Sequence, residues 1–249
     1  MPSHSSEKSD AGCSGSFATT QWSVVLAAGD VQHQQSREAL SKLCQAYWFP
    51  LYAYVRRRVS DVDEAQELTQ EFFAELLGKS IIASAVQERG RFRAFLLTAL
   101  KHFLSKQWDK QRSLKRGGGK TPISLDFKAA DSSLCIEPAK GLTAEQLFDQ
   151  QWAITLLQII MQRLAVEFDA RGKLAQFEAL KGFIVGEQAG VAYSQLAITL
   201  GTTEAATKQT VSRMRRRYRE LLRQEIAQTV TNPGEVEDEI ANLFTVLAL

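Results

Sequence analysis

Cysteine, histidine and proline are scarce in this chain, at 3, 3 and 5 of 249 residues. Cys13, Cys44 and Cys135 are odd in number, far apart and without CxxC spacing, which argues against a disulfide framework and against a zinc site. His4, His33 and His102 are equally scattered, so no metal-ligand cluster and no set of nucleophile, base and orienting group is spelled out. The sequence therefore reads as a non-enzyme with no metal, no cofactor and no small-molecule substrate. No apolar run reaches the length of a membrane span, and the opening MPSHSSEKSDAGCSGS lacks the basic-then-apolar order of a secretory signal. The expectation is a cytoplasmic protein with no membrane partner. Charge of one sign is not in excess either, the formal net charge being +2.

What the chain does have is helical periodicity and unevenly placed charge. Its length, with 45% hydrophobic and 23% charged residues, suits one large or two small globular domains. Arg89 to Lys120 carries a dense run of Lys and Arg against one acid, Asp109, whereas Asp61 to Glu75 is dominated by carboxylates. A second basic block lies near Arg213. Two basic blocks and one acidic block suggest two nucleic-acid surfaces and one protein surface.

The most informative stretch is Tyr193 to Arg223. Tyr193, Leu196, Ala197 and Leu200 recur at helical spacing, and Gly201 follows as a left-handed stop. Thr203 then supplies a hydroxyl cap and Glu204 a carboxylate at the positive end of the next helix. Thr207, Val211, Met214, Tyr218 and Leu221 form its apolar stripe. The other face presents Lys208, Gln209, Ser212, Arg213 and Arg216, with Arg219 and Arg223 further along. Basic helix faces are commonly just solvated. A capped basic helix three residues after a glycine-terminated amphipathic one is more specific, and predicts a helix-turn-helix whose second helix enters the DNA major groove.

In chain order, residues 1–19 are Ser- and Gly-rich and are expected to form a disordered tail. Helical text begins at Thr20, with Trp22, Val25 and Leu26 in one segment and Leu40, Leu43, Cys44 and Tyr47 in another. Pro50 is placed to start a new helix carrying Leu51, Tyr54 and Val55 inward. Asp61 caps a helix whose buried stripe is Ala65, Leu68, Phe72, Phe73 and Leu76. Its acidic face is either a solvated surface or a dock for a basic partner, and periodicity does not choose between them. A long helix follows, with Phe92, Phe95, Leu96, Ala99 and Phe103 on one side and Arg93, Leu97, Lys101, Ser105, Trp108 and Arg112 on a second. Aromatic and basic groups together suit a platform for unstacked bases, and an indole equally suits the end of a helical core, so Trp108 has two readings.

Gly117 to Gly119 break the pattern, and residues 115–142 read as a flexible linker. Thr143 and Gln146 form a capping box opening a second helical domain over residues 143–228. Leu147, Phe148, Trp152, Leu156, Ile159, Ile160 and Leu164 make its first stripe, and Leu174, Phe177, Leu180 and Ile184 a further helix ending at Gly186 and Gly190. Residues 229–249 predict an acidic amphipathic helix capped by Asn232 and Pro233, with Val236, Ile240, Leu243, Phe244 and Leu247 apolar. The expected fold is all-α: two small helical domains, 20–114 and 143–228, joined by the linker.

Taken together, YWFPLYAYVRRR, DEAQELTQEFFAELL, GRFRAFLLTALKHFL and YSQLAITLGTTEAATKQTVSRMRRRYREL resemble, in order and spacing, the extracytoplasmic-function (ECF) group of bacterial RNA polymerase sigma factors. The resemblance covers roughly residues 22–228. It implies a transcription-initiation subunit that binds core RNA polymerase through the β′ clamp helices, using Asp63, Glu64, Glu67, Gln70 and Glu71. It implies promoter opening by Arg91, Arg93, Lys101, His102, Ser105, Trp108 and Arg112. The distant promoter element would be read by Thr203, Lys208, Gln209, Ser212, Arg213, Arg216 and Arg217, and an anti-sigma protein is a further implied partner. The chain departs from the family at Phe95, often tryptophan there, at His102, usually asparagine, and at Thr202 and Thr207, usually aliphatic. A stand-alone helix-turn-helix regulator that does not bind polymerase is the alternative.

Overall fold

The computed structural model describes residues 34–77, 91–113, 141–186, 193–230 and 232–248, apart from the side chains of 34–43, 77 and 111–113. The expectations for the N-terminal tail, the Trp22 segment, the linker up to residue 140 and Gly190 fall outside the described residues. Every regular element among those residues is helical, so the fold is all-α. In chain order these are α1 (Gln34–Arg58), α2 (Val62–Leu77), α3 (Phe92–Ser113), α4 (Ala144–Asp169), α5 (Leu174–Leu180), α6 (Gly182–Val185), α7 (Tyr193–Thr199), α8 (Glu204–Ala227), a 3₁₀ turn (Pro233–Glu235) and α9 (Val236–Leu247).

Local chemistry accounts for most of the boundaries. Asp61 Oδ1 accepts the Glu64 amide at 2.8 Å and starts α2. Thr143 and Gln146 form the reciprocal capping box of α4, with bonds of 3.1 and 2.9 Å. α1 differs from expectation: it runs unbroken through Pro50 instead of starting there. An interior proline removes one backbone bond and strains the preceding turn, at about 3 kcal/mol. Buried side chains on both sides of it, Ala46, Tyr47, Leu51, Tyr52, Ala53, Tyr54 and Val55, hold the helix together, each large one contributing about 1.5–3 kcal/mol by burial. The stretch from Leu174 to Ile184 breaks at Lys181 into α5 and α6, and turning the chain there lets Phe177, Leu180, Phe183 and Ile184 all be buried.

The core is one continuous cluster that includes residues on both sides of the 114–140 connection. α1 and α4 make the most extensive helix–helix contact. Tyr47 packs edge-on to Phe92 at 5.4 Å, joining α1 to α3, and Phe72 does the same with Phe103 at 5.7 Å, joining α2 to α3. α9 lies against α4 and α8, and the Phe92 amide donates to the Thr229 carbonyl at 3.1 Å. Among the described residues no helix is long and apolar enough to cross a membrane.

Candidate nucleic-acid interface

α7 ends on a left-handed glycine. Gly201 has φ +60°, its amide donates to the Ile198 carbonyl at 3.1 Å, and the Thr202 amide reaches back to the Ala197 carbonyl at 2.9 Å. This pair of bonds satisfies carbonyls that would otherwise be orphaned at the helix end. Two residues on, Thr203 caps α8, its hydroxyl accepting the Ala206 amide at 3.2 Å. The stripe read from sequence is buried in full: Thr207, Val211, Met214, Tyr218 and Leu221. The Thr207 hydroxyl, nearly inaccessible, donates to the Thr203 carbonyl at 3.1 Å, so a threonine at an apolar position leaves no polar group unsatisfied.

With that stripe inward, Lys208, Gln209, Ser212, Arg213 and Arg216 are all exposed on α8. They span about 12 Å along the axis at 1.5 Å per residue. Lys208 Nζ sits 2.6 Å from Glu204 and 5.6 Å above the Tyr193 ring, and its hydrogen bond to Glu204 raises its pKa. Arg216 is 3.6 Å from Glu220, with most of its side chain in solvent. Arg213 is exposed and without an ion pair among the described residues. Arg217 behaves differently. Its Nη2 and Nε grip the Glu167 carboxylate of α4 at 2.6 and 2.9 Å, and Nη1 reaches Glu220 at 3.2 Å. Those bonds depress the Glu167 carboxyl below its usual range and raise the Arg217 guanidinium above its own.

α3 presents its assigned residues unevenly. His102 and Ser105 are exposed, as is Lys101, whose Nζ lies 2.9 Å from Glu145 of α4. Trp108 is half-buried and packs against the core, which is the structural one of its two readings. The Arg112 side chain lies outside the described residues. Arg93 is buried, 6% exposed, and completely engaged. Nη1 donates to Asp149 at 2.7 Å, Nη2 donates to Glu239 Oε2 at 3.2 Å, and Nε lies 2.8 Å from Glu239 Oε1, too poorly aligned for a hydrogen bond. Its guanidinium stacks 4.6 Å from the Trp152 ring. Arg91 adds its Nε to Glu239 Oε2 at 3.0 Å.

On α2, Asp63 and Glu67 are exposed, and Glu64, Gln70 and Glu71 partly so. Glu71 accepts a bond from Gln107 of α3 at 2.9 Å. The apolar stripe of this helix is buried as expected, which leaves these groups along its outer side.

Four carboxylates that matter here were not legible in the sequence: Glu145, Asp149, Glu167 and Glu239. Glu145 takes Arg58 at 3.1 Å as well as Lys101, and its hydrogen bond to Lys101 leads the causes holding its carboxyl below the usual range. Burial pushes the Asp149 carboxyl up, against the pull of Arg93. Glu239 is fully buried on α9, together with Leu243 and Val246. The apolar edge read from sequence is rotated from this, with Val236 and Ile240 only half-buried and Phe244 55% exposed. A helix that must deliver a carboxylate to two arginines turns its face accordingly. Asn232, expected as a cap, donates its amide to Glu235 at 3.0 Å instead of accepting a backbone bond.

Among the described residues no group of three or more His, Cys, Asp or Glu side chains is arranged to hold a metal ion. Comparisons with protein-family models, with curated proteins and with solved structures give no match to this chain.

Proposed function

We propose that this protein is a dissociable transcription-initiation subunit of the sigma type, cytoplasmic, with promoter DNA and core RNA polymerase as partners. The observation that carries the DNA half of this reading is the α7–turn–α8 pair. A left-handed glycine stop and a threonine cap fix the angle between the helices, and the burial of one stripe of α8 turns Lys208, Gln209, Ser212, Arg213 and Arg216 outward together. Such a helix-turn-helix offers amide, hydroxyl and guanidinium donors at the spacing at which major-groove edges and phosphates recur. The polymerase half rests on the outward carboxylates of α2, complementary to a basic helical surface. In this reading, residues 20–114 grip polymerase and open the promoter, residues 143–228 find the distant element, and an anti-sigma protein or other regulator is a further partner.

One observation favours a second reading, a stand-alone helix-turn-helix regulator. Arg93 is buried and Lys101 is ion-paired across to α4, so this conformation offers strand opening fewer free cations than the first reading needs. Purified chain mixed with core polymerase of its own host at low salt, followed by run-off transcription on genomic fragments, separates the two. Co-elution and discrete transcripts support the sigma reading. Duplex binding without co-elution sinks it and leaves the regulator.

A further inference from the structure

Part of the basic surface assigned to promoter opening is already occupied, by carboxylates of α4 and of α9. Glu239 of α9 is inaccessible and lies between Arg91 and Arg93, while Asp149 and Glu145 of α4 take Arg93 and Lys101. Three carboxylates thus stand against three cations, Arg93 and Lys101 of α3 and Arg91 just before it, in the way that phosphate oxygens would. Glu239 lies in the acidic first turn of α9, where the helix end favours a carboxylate, but that preference is met equally by an exposed group and does not account for its burial. An isolated buried glutamate costs several kcal/mol and persists only where cations meet it. A second, exposed tie holds α9 from outside, Arg223 of α8 to Glu237 at 2.7 Å.

We propose that α9 is an intramolecular clasp: Glu239 masks Arg91 and Arg93 so that the free chain is held in a state with low affinity for single-stranded DNA, and release of α9 unmasks them. The inference rests on the sigma reading for the role of α3, but the clasp itself is a property of this chain alone. Its energetics are two-sided. Removing Glu239 strips a buried arginine of one partner while leaving Asp149 in place, so the closed state is weakened without being abolished. Breaking the outer tie loosens the same helix with no buried charge disturbed, because both Glu237 and Arg223 are more than half exposed. Ligand affinity then rises in proportion to the fraction of molecules that are open.

The test uses the full chain and two variants, Glu239→Gln and Glu237→Arg. Each is titrated at one stated salt concentration with a fluorescent single-stranded oligonucleotide and with a duplex of the same sequence, and each is checked by thermal melting. The clasp predicts that single-strand affinity rises by about tenfold in Glu239→Gln and about threefold in Glu237→Arg, in line with a shifted open fraction. Duplex affinity through α8 stays within about twofold of the parent in Glu239→Gln, because the buried Glu239 pairs with Arg91 and Arg93 and not with the basic face of α8. Amides from Phe92 to Leu96 should also exchange faster with solvent in both variants. A cooperatively folded variant with unchanged or reduced single-strand affinity overturns the proposal and makes Glu239 a purely structural anchor. If Glu239→Gln does not fold, Glu237→Arg decides alone. Failure of the sigma reading looks different: neither the parent nor either variant co-elutes with core polymerase, whatever happens to single-strand binding.

Discussion

Arg217 Nη2 lies 2.6 Å from Glu167 Oε1, so the last arginine of the MRRR run is tied to α4, whereas Arg213 and Arg216 on the same helix remain in solvent. Arg213 and Arg217, one helical turn apart, are thereby placed differently. Arg217 holds α8 at a fixed angle to α4. Arg213 is exposed.

Substitution separates these roles. Arg213→Ala should leave the melting transition unchanged and weaken binding to a preferred duplex by about 1–3 kcal/mol, with relaxed specificity at one position. Arg217→Ala should instead lower the unfolding free energy, by about 1 kcal/mol or less for a pair this exposed. Urea denaturation and salt-controlled duplex titrations of both variants check this, and a stability loss at Arg213 would refute it.

Acidification provides a second check with a determined sign. The Glu167 carboxyl is held below its ordinary value of 4.5 by Arg217, so the folded state binds its proton less readily than the unfolded chain. The stabilisation is present above about pH 4.5 and is lost as the pH falls through the depressed folded value. The stability gap between the parent and Glu167→Gln, about 1 kcal/mol or less at neutral pH for a pair this exposed, should close as the pH is lowered from 6 to 3. Glu145 has the same sign. Asp149, whose carboxyl is raised by burial, has the opposite one: its ionisation weakens the fold as the pH rises through the raised value. A Glu167→Gln gap that stays constant across the range would contradict the Arg217 assignment.

Gly201 has φ +60° with open space around the position of a side chain. The strain there is purely backbone. Gly201→Ala should cost about 1 kcal/mol and Gly201→Val more, whereas Gly201→Asn should be the best tolerated, since asparagine visits the left-handed region most readily. Thermal melts of the three variants, ranked, are the measurement, and an unaffected Gly201→Val would show that the turn is not held as described.

Charge reversal on α2 tests the polymerase surface. Glu67→Lys alters an exposed carboxylate and should abolish co-purification with core polymerase while leaving duplex binding by α8 intact. Adding Glu71→Lys also removes the acceptor of Gln107, so the double variant should lose some stability as well. Undiminished co-purification of both variants would remove the main support for the sigma reading.

Legibility in the sequence followed the range of the interaction. The cap at Thr203, the capping box at Thr143, the stop at Gly201 and the stripes of α2, α4 and α8 depend on residues a few positions apart, and all appear where the spacing put them. Pro50 by its local preference suits a helix start, but that preference competes with burial on both sides of it, and burial wins. Spacing puts Arg93 on a second side of α3 with Lys101 and Arg112, and the resemblance gives it to promoter opening; nothing local reveals its burial, because its partners, Asp149 and Glu239, are 56 and 146 residues away.

The sequence by itself determined that this chain is helical, that helices are capped at Asp61, Thr143 and Thr203 and one stops at Gly201, and that α8 has one apolar and one basic side, because backbone hydrogen bonding and side-chain periodicity act within a turn or two. The tertiary structure alone decided which charges face solvent and which are spent inside. Whether a carboxylate such as Glu239 is a surface group or a buried counter-ion depends on which distant arginine arrives beside it, and that pairing leaves no trace in the local pattern of residues.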